Sequence, residues 1–237
     1  DLPYKLTIYY EGQEVDRFDT YLGALSLHYR PVKGLSMKLI GSAFRTSEQE
    51  TFDILGQYWI NELDNTIGSE TYGDSILNVG IGTLLSHARN YLDAIVITGS
   101  HLGSYKKGNH RLQWGFTFKY QDFDDRIREW ELLDSSGYVI PYREDRVEMT
   151  RFMGSQNRIT YDQTSAFIQN TLEINGNEAD FFITTGLRGT LWNFNRSRMM
   201  SPRVTISAQP TWERDMMFHI SGGTYYQPPF YKEMRRP

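Results

Sequence analysis

RLQWGFTFKYQ, from Arg111 to Gln121, alternates without a break. Leu112, Trp114, Phe116, Phe118 and Tyr120 take one parity; Arg111, Gln113, Gly115, Thr117, Lys119 and Gln121 take the other. Successive side chains of a strand point to opposite faces, so this is a strand with one aromatic face and one polar face. Whether the aromatic face meets a protein core or lipid decides the fold. At roughly 3.3 Å per residue the stretch spans about 36 Å, and a tilt of ~45° leaves about 26 Å of height, close to the ~25 Å apolar band of an outer-membrane barrel. Strands of soluble domains are more often about 5–6 residues long.

Composition narrows the classes. The 237-residue chain has 25 basic and 29 acidic residues and a net charge of −4, without a basic block, which argues against a nucleic-acid partner. It has no cysteine, which excludes disulfides and thiolate chemistry. No apolar run approaches the ~20 residues of a membrane helix. The first residues, DLPYKLTIYY, lack the basic and apolar regions of a signal peptide. Aromatics make up 14% of the chain, yet mean hydropathy is −0.53. A period-two pattern interleaves aromatic with polar residues in this way, on a soluble sheet or in a bilayer.

Working outward, the pattern predicts an all-β antiparallel meander of about nine strands forming one domain over 1–237. The expected strands are Tyr4 to Tyr10, Tyr21 to Arg30, Leu35 to Phe44, Asn90 to His101, Arg111 to Gln121, Thr164 to Ile174, Asp180 to Trp192, Arg203 to Gln209 and Met216 to Tyr226. Tight turns fall at 31–34, 105–109, 175–178 and 210–215, where Pro, Gly and Asn-Gly-Asn collect. Between them lie long polar segments near 46–86 and 132–157, and a shorter one near 195–201, all read as loops. Short and long connections therefore alternate, which puts them at opposite ends of the sheet, as in outer-membrane barrels.

Candidate chemistry is sparse. His28, His87, His101, His110 and His219 show no helical ligand spacing, so no metal site is expected. The acidic run Glu48, Glu50, Asp53, Glu62, Asp64, Glu70 and Asp74 fits no EF-hand and reads as a solvated loop. Asp124-Asp125 or Glu129/Glu131 could serve glycoside hydrolysis, but spacing alone does not show it. Gly80-Ile81-Gly82 is no phosphate loop, and Gly99-Ser100-His101 is no nucleophile elbow. The chain is therefore read as a non-enzyme without a cofactor. Ligand-binding candidates are the loop aromatics Tyr58, Trp59, Tyr72 and Tyr138, while Trp130 reads as a headgroup-level girdle residue.

The C-terminal third runs AFIQNTLEI, FFITTGLRGTLWNF, SPRVTISAQPTW, MMFHISGGTYYQPPFYKEM. Gly186-Leu187-Arg188, Ser201-Pro202-Arg203 and the glycine-aromatic stretch Gly222 to Glu233 follow in an order that resembles the barrel of TonB-dependent outer-membrane receptors. HRLQWGFTFKYQ with DRIREWELLDSSGY looks like the Bacteroidetes-type versions. The resemblance implies part of a barrel of roughly 22 strands filled by an N-terminal plug. It implies a Gram-negative outer-membrane location, energy-coupled uptake of a scarce ligand (siderophore, vitamin, oligosaccharide or peptide), and coupling to TonB through a plug. No plug pattern is seen, and the last residues, RRP, lack the usual terminal aromatic, so the chain is expected to be a barrel-wall fragment without the plug and the C-terminal strands. Outer-membrane lipid would cover the aromatic parity, and Arg111, Gln113, Thr117, Lys119 and Gln121 would face the lumen. The alternative is a soluble β-sandwich that binds carbohydrate through loop aromatics. A small complete barrel is a third reading, disfavoured by the missing closing strand.

Overall fold

A computed structural model describes residues 3–134, 145 and 147–234. Eight strands follow in chain order: β1 (Tyr4–Tyr29), β2 (Leu35–Leu63), β3 (Ser75–Lys107), β4 (His110–Asp134), β5 (Glu148–Asn175), β6 (Ala179–Trp192), β7 (Ser197–Pro210) and β8 (Phe218–Gly223). One helical turn, α1 (Tyr231–Met234), comes after them. Each strand pairs antiparallel with the next, giving one meander sheet with β1 and β8 at its edges.

The sheet class matches the sequence expectation, but the strands are much longer than expected. The polar stretch Glu11–Thr20 joins two expected strands into β1, 26 residues long, by pairing with Thr46–Leu55 of β2. The 46–86 segment is strand up to Leu63 and again from Ser75, leaving only 64–74 as the connection. β4 runs on to Asp134 and β5 begins at Glu148, so 132–134 and 148–157 are also strand. The shorter segment is a tight turn at 193–196. Over Glu11–Thr20 both faces are polar or mixed, so no hydrophobic period marks the extension, yet backbone ladder bonds hold it extended. Over 52–60 a period is present in Phe52, Ile54, Tyr58 and Ile60, but Leu55 and Trp59 on the other parity blur it.

The tight turns fall close to their expected places. At Gly34 the backbone has φ +84°, and a Cβ there would lie 2.5 Å from the Lys106 carbonyl oxygen. The Gly34 carbonyl in turn accepts the Lys106 N–H at 2.9 Å. Only glycine meets both conditions.

Register assigns every residue to a face. Among the described residues, each buried strand residue other than glycine lies on the parity of Gln121, for example Thr46, Ala88, Ala94, Asp125, Ile127, Tyr161 and Trp192. A single sheet buries side chains on the side toward which it curls, so this is the inner face. Hydroxyls and amides bond across it: Thr20 to Thr46 at 3.1 Å, Ser100 to Thr117 at 3.1 Å, Gln169 to Gln113 at 2.7 Å and Thr171 to Thr184 at 2.8 Å.

The outer face is the reverse. Leu25 and Leu27 of β1, Leu39 of β2, Ile95 and Ile97 of β3, Phe116 and Phe118 of β4, Ile168 of β5, Leu187 of β6, Val204 and Ile206 of β7 and Ile220 of β8 share it. Leu25 is 80% exposed, Phe116 48% and Ile220 73%. The outer positions of this band carry no Asp, Glu, Lys or Arg from 21 to 29, 35 to 43, 95 to 105, 112 to 120, 164 to 174, 181 to 191 and 200 to 208. Charges begin together on the side away from the tight turns, at Arg17–Asp19 (2.8 Å), Arg45, Asp93, Asp122–Arg158 (3.2 Å), Asp162 and Arg198.

Trp114 shows how the band packs. Its ring lies flat over Gly103, where a Cβ would sit 2.1 Å from Cε2, and its Nε1–H donates to His101 Nε2 at 3.1 Å. Gly103→Val must push the indole off the sheet and break that bond. The expected cost is about 1–3 kcal/mol, the usual range for overpacking, read by urea unfolding.

Candidate functional site

Among the described residues, the expected ligand-binding aromatics Tyr58, Trp59 and Tyr72 do not assemble. Tyr58 and Trp59 are neighbours on β2 and therefore face opposite sides. Tyr58 lies on the inner face, its ring over Gly82, and lines an apolar recess of about 360 Å³ with Leu6, Ile8, Tyr10, Ile60 and Leu84. Trp59 lies on the outer face, edge-on to Tyr9 at 5.0 Å. Tyr72 sits exposed in the 64–74 turn. Tyr138 lies outside the described residues.

Trp130 is on the outer face but not at the edge of the apolar band. It stands about ten residues, or roughly 33 Å, beyond Tyr120 along β4. It stacks on His87 at 4.5 Å and 15°, and His87 Nδ1 is 2.5 Å from Asp53 Oδ1. Arg89 holds the other Asp53 oxygen at 2.5 Å, and together with His87 it keeps that carboxyl below its usual range. β4 continues past the band, so Trp130 stands well away from its edge.

The acidic run is likewise structured. Glu48 and Glu50 sit on the inner face of β2, whereas Asp53 points outward. Glu48 and Glu50, with Asp16, Asp125, Glu129 and Lys232, line a pouch of about 370 Å³. Glu14, Asp16 and Glu50 could bring carboxylate oxygens within 4.8 Å of one another, all three being exposed. Asp124 and Asp125, adjacent on β4, face opposite sides, so they form no catalytic pair.

Asp64 organises the tip of the β2–β3 hairpin. Its carboxylate accepts the Thr66 N–H at 2.9 Å and the Thr71 hydroxyl at 2.7 Å. Hydrogen bonding by Ser69, then by Thr66 and Thr71, holds its pKa well below the usual carboxylate range. A depressed folded-state pKa contributes stability that is present above the unfolded value and lost as pH falls through the folded one. Hydrogen exchange at the Thr66 and Gly73 amides is therefore expected to be slow at pH 5 and to quicken in strong acid. In Asp64→Asn it should be fast at both.

An aromatic cluster on the inner face escaped sequence reading. Tyr161 meets Trp192 edge-on at 5.7 Å, Trp192 stacks on Phe194 at 5.2 Å, and Phe123 stacks on Tyr231 of α1 at 4.3 Å. The segment after β8 therefore crosses the inner face of the sheet toward β4. The available signal was parity: Phe123 and Ile127 occupy the polar parity of the opening strand.

Beside this segment, a second polar recess of about 370 Å³ is lined by Arg188 of β6, Arg203 of β7, Gln163 of β5 and residues from Thr224 to Pro228. No protein-family model, curated protein or solved structure matches the chain.

Proposed function

We propose that the chain is a wall segment of an outer-membrane β-barrel, of the TonB-dependent transporter kind, serving energy-coupled uptake of an extracellular ligand. One observation carries this reading: a charge-free, exposed apolar band crosses the sheet on one face, and charged residues border it on the same side. Lipid satisfies such a band, and water on the inner face satisfies the hydroxyl and amide ladder. The long hairpins β2–β3 and β4–β5 reach past the band on the side away from the tight turns, where extracellular loops of such barrels lie. The ordered motifs around Gly186-Leu187-Arg188 and Ser201-Pro202-Arg203 support the transporter kind. The sandwich alternative needs a second sheet on the apolar face, and the described strands form one sheet.

The absence of cysteine makes a labelling test clean. Spin labels are placed singly at 114 to 120 in protein reconstituted into vesicles. Oxygen accessibility should peak at 114, 116, 118 and 120, and accessibility to a water-soluble nickel complex at 115, 117 and 119. Equal water exposure of both parities would sink the membrane reading.

A further inference from the structure

We propose that the recess between β5–β7 and the segment Thr224–Pro228 is a recognition site for a sugar carrying an oxyanion, a carboxylate or a phosphate. The proposal rests on the transporter reading for its biological use, since it names the ligand class that the water-facing side would take.

The cation pair comes first. Arg188 pairs with Ser201 and Gly186 with Arg203, so the two arginines are diagonal neighbours on one face. Both are exposed, and neither is in ion-pair range of a carboxylate among the described residues. No Asp or Glu lines the recess. Neutral acceptors orient both guanidiniums: Arg203 Nη2 donates to Gln169 Oε1, and Arg188 Nη2 to Ser165 Oγ at 3.4 Å. A guanidinium has five N–H donors, so each keeps several for a ligand. Two forks on one wall suit an oxyanion, which accepts them in bidentate fashion.

Space for this arrangement is built in. A Cβ at Gly186 would lie 3.2 Å from Arg203 Nε and 3.0 Å from the Gln169 Cβ. The glycine lets the Arg203 side chain lie across the strand to Gln169.

The rest of the lining selects the body of the ligand. Gln163, Thr190, Ser201 and Gln227 offer amides and hydroxyls, and Tyr225 and Tyr226 are 74% and 62% exposed. Neutral donors and acceptors beside open aromatic rings suit a hydroxylated ring with apolar C–H faces better than a fatty or purely aromatic acid. The volume lies within the ~300–1,000 Å³ of small-molecule sites. Across the sheet, on the part of the inner face away from the tight turns, carboxylates gather at Glu14, Asp16, Glu48, Glu50, Asp125 and Glu129, while the cations Lys38, Lys106, Arg111 and Lys119 lie nearer the tight turns. The carboxylate group disfavours an anion in the neighbouring pouch, whereas no Asp or Glu lines the recess at the arginines.

The test uses the whole protein in lipid nanodiscs, titrated calorimetrically with digalacturonate, glucose 6-phosphate and the neutral disaccharide galactobiose. Saturable binding of one or both anionic sugars is expected, with galactobiose at least tenfold weaker. Digalacturonate alone would assign a carboxylate, and glucose 6-phosphate alone a phosphate. Arg188→Gln and Arg203→Gln should each weaken binding at least tenfold. Gly186→Leu, which keeps both charges but displaces Arg203, should weaken it comparably, while Lys119→Gln on β4 should leave it unchanged. The spin-label pattern at 114 to 120 is recorded on the same preparations. No anionic binding with the alternating pattern intact overturns the site and leaves the membrane reading standing. Binding that Arg188→Gln and Arg203→Gln do not touch also overturns it. Loss of the pattern in the unaltered protein overturns the membrane reading instead.

Discussion

Phe116→Arg is expected to destabilise the protein by about 2–4 kcal/mol, and Thr117→Arg, one residue on, by far less. Both positions lie mid-strand on β4, and a single step reverses the face. Phe116 is flanked on the outer face by His101 of β3 and Ala166 of β5, and is 48% exposed. In water such exposure makes arginine harmless, because a guanidinium is better solvated there than a phenyl ring. In a bilayer the same exposure is exposure to hydrocarbon, and the charge costs free energy in proportion to its depth. Thr117 instead faces Ser100, whose hydroxyl lies 3.1 Å away, on the face that carries Lys119 and Gln113. Arginine there loses one hydrogen bond, worth about 0.5–1.5 kcal/mol, and gains water. The measurement is reversible urea unfolding from vesicles, with Phe118→Arg as a second outward site. A soluble sheet would give the opposite order, with Phe116→Arg near neutral.

The alternation that makes this prediction possible was legible because the band has a polar partner face. Wherever one face meets an apolar medium and the other meets water, hydrophobicity repeats with period two, as it does from Leu112 to Tyr120. The turns at 31–34, 105–109 and 175–178 were legible through their Gly and Asn residues, which supply backbone conformations that other residues avoid. Beyond the band that contrast weakens. Glu11–Thr20 has polar or mixed side chains on both faces, so a loop and a paired strand look alike there, and in 52–60 the apolar parity of Phe52, Ile54, Tyr58 and Ile60 is blurred by Leu55 and Trp59 on the other. The error spread to the candidate site. Once 58–59 is strand, Tyr58 and Trp59 must part to opposite faces, and of the expected loop aromatics only Tyr72 stays in a connection among the described residues. The recess at Arg188 and Arg203 was out of reach for another reason: it needs the register of β5–β7 and the return of Thr224–Pro228 over the inner face, and neither leaves a local pattern.

Trp192→Ala should cost about 3 kcal/mol or more, within the range for deleting a buried aromatic side chain. Trp192 is 3% exposed in a single-layer sheet, where burial comes only from neighbours on the inner face. Those neighbours are Tyr161, edge-on at 5.7 Å, and Phe194, stacked at 5.2 Å; Tyr161 itself is 5% exposed and continues to Phe123 and Tyr231. Removing the indole leaves a hole that a paired strand end cannot close by collapsing. The indole N–H makes no hydrogen bond among the described residues, so Trp192→Phe keeps most of the packing and forfeits no bond seen there; its cost should stay below about 1.5 kcal/mol. Tyr231→Ala acts on the same chain of rings from the far end and frees the segment after β8. Trp192→Ala and Tyr231→Ala share the Phe123–Tyr161 pair, so their double variant should depart from additivity by about 0.5 kcal/mol or more. All three values come from urea unfolding in vesicles, and proteolysis between Thr224 and Met234 reports whether that segment has left the inner face. A Trp192→Ala cost no larger than that of Trp192→Phe, with the segment still protected, would show that the rings lie side by side without holding the sheet and its return segment together.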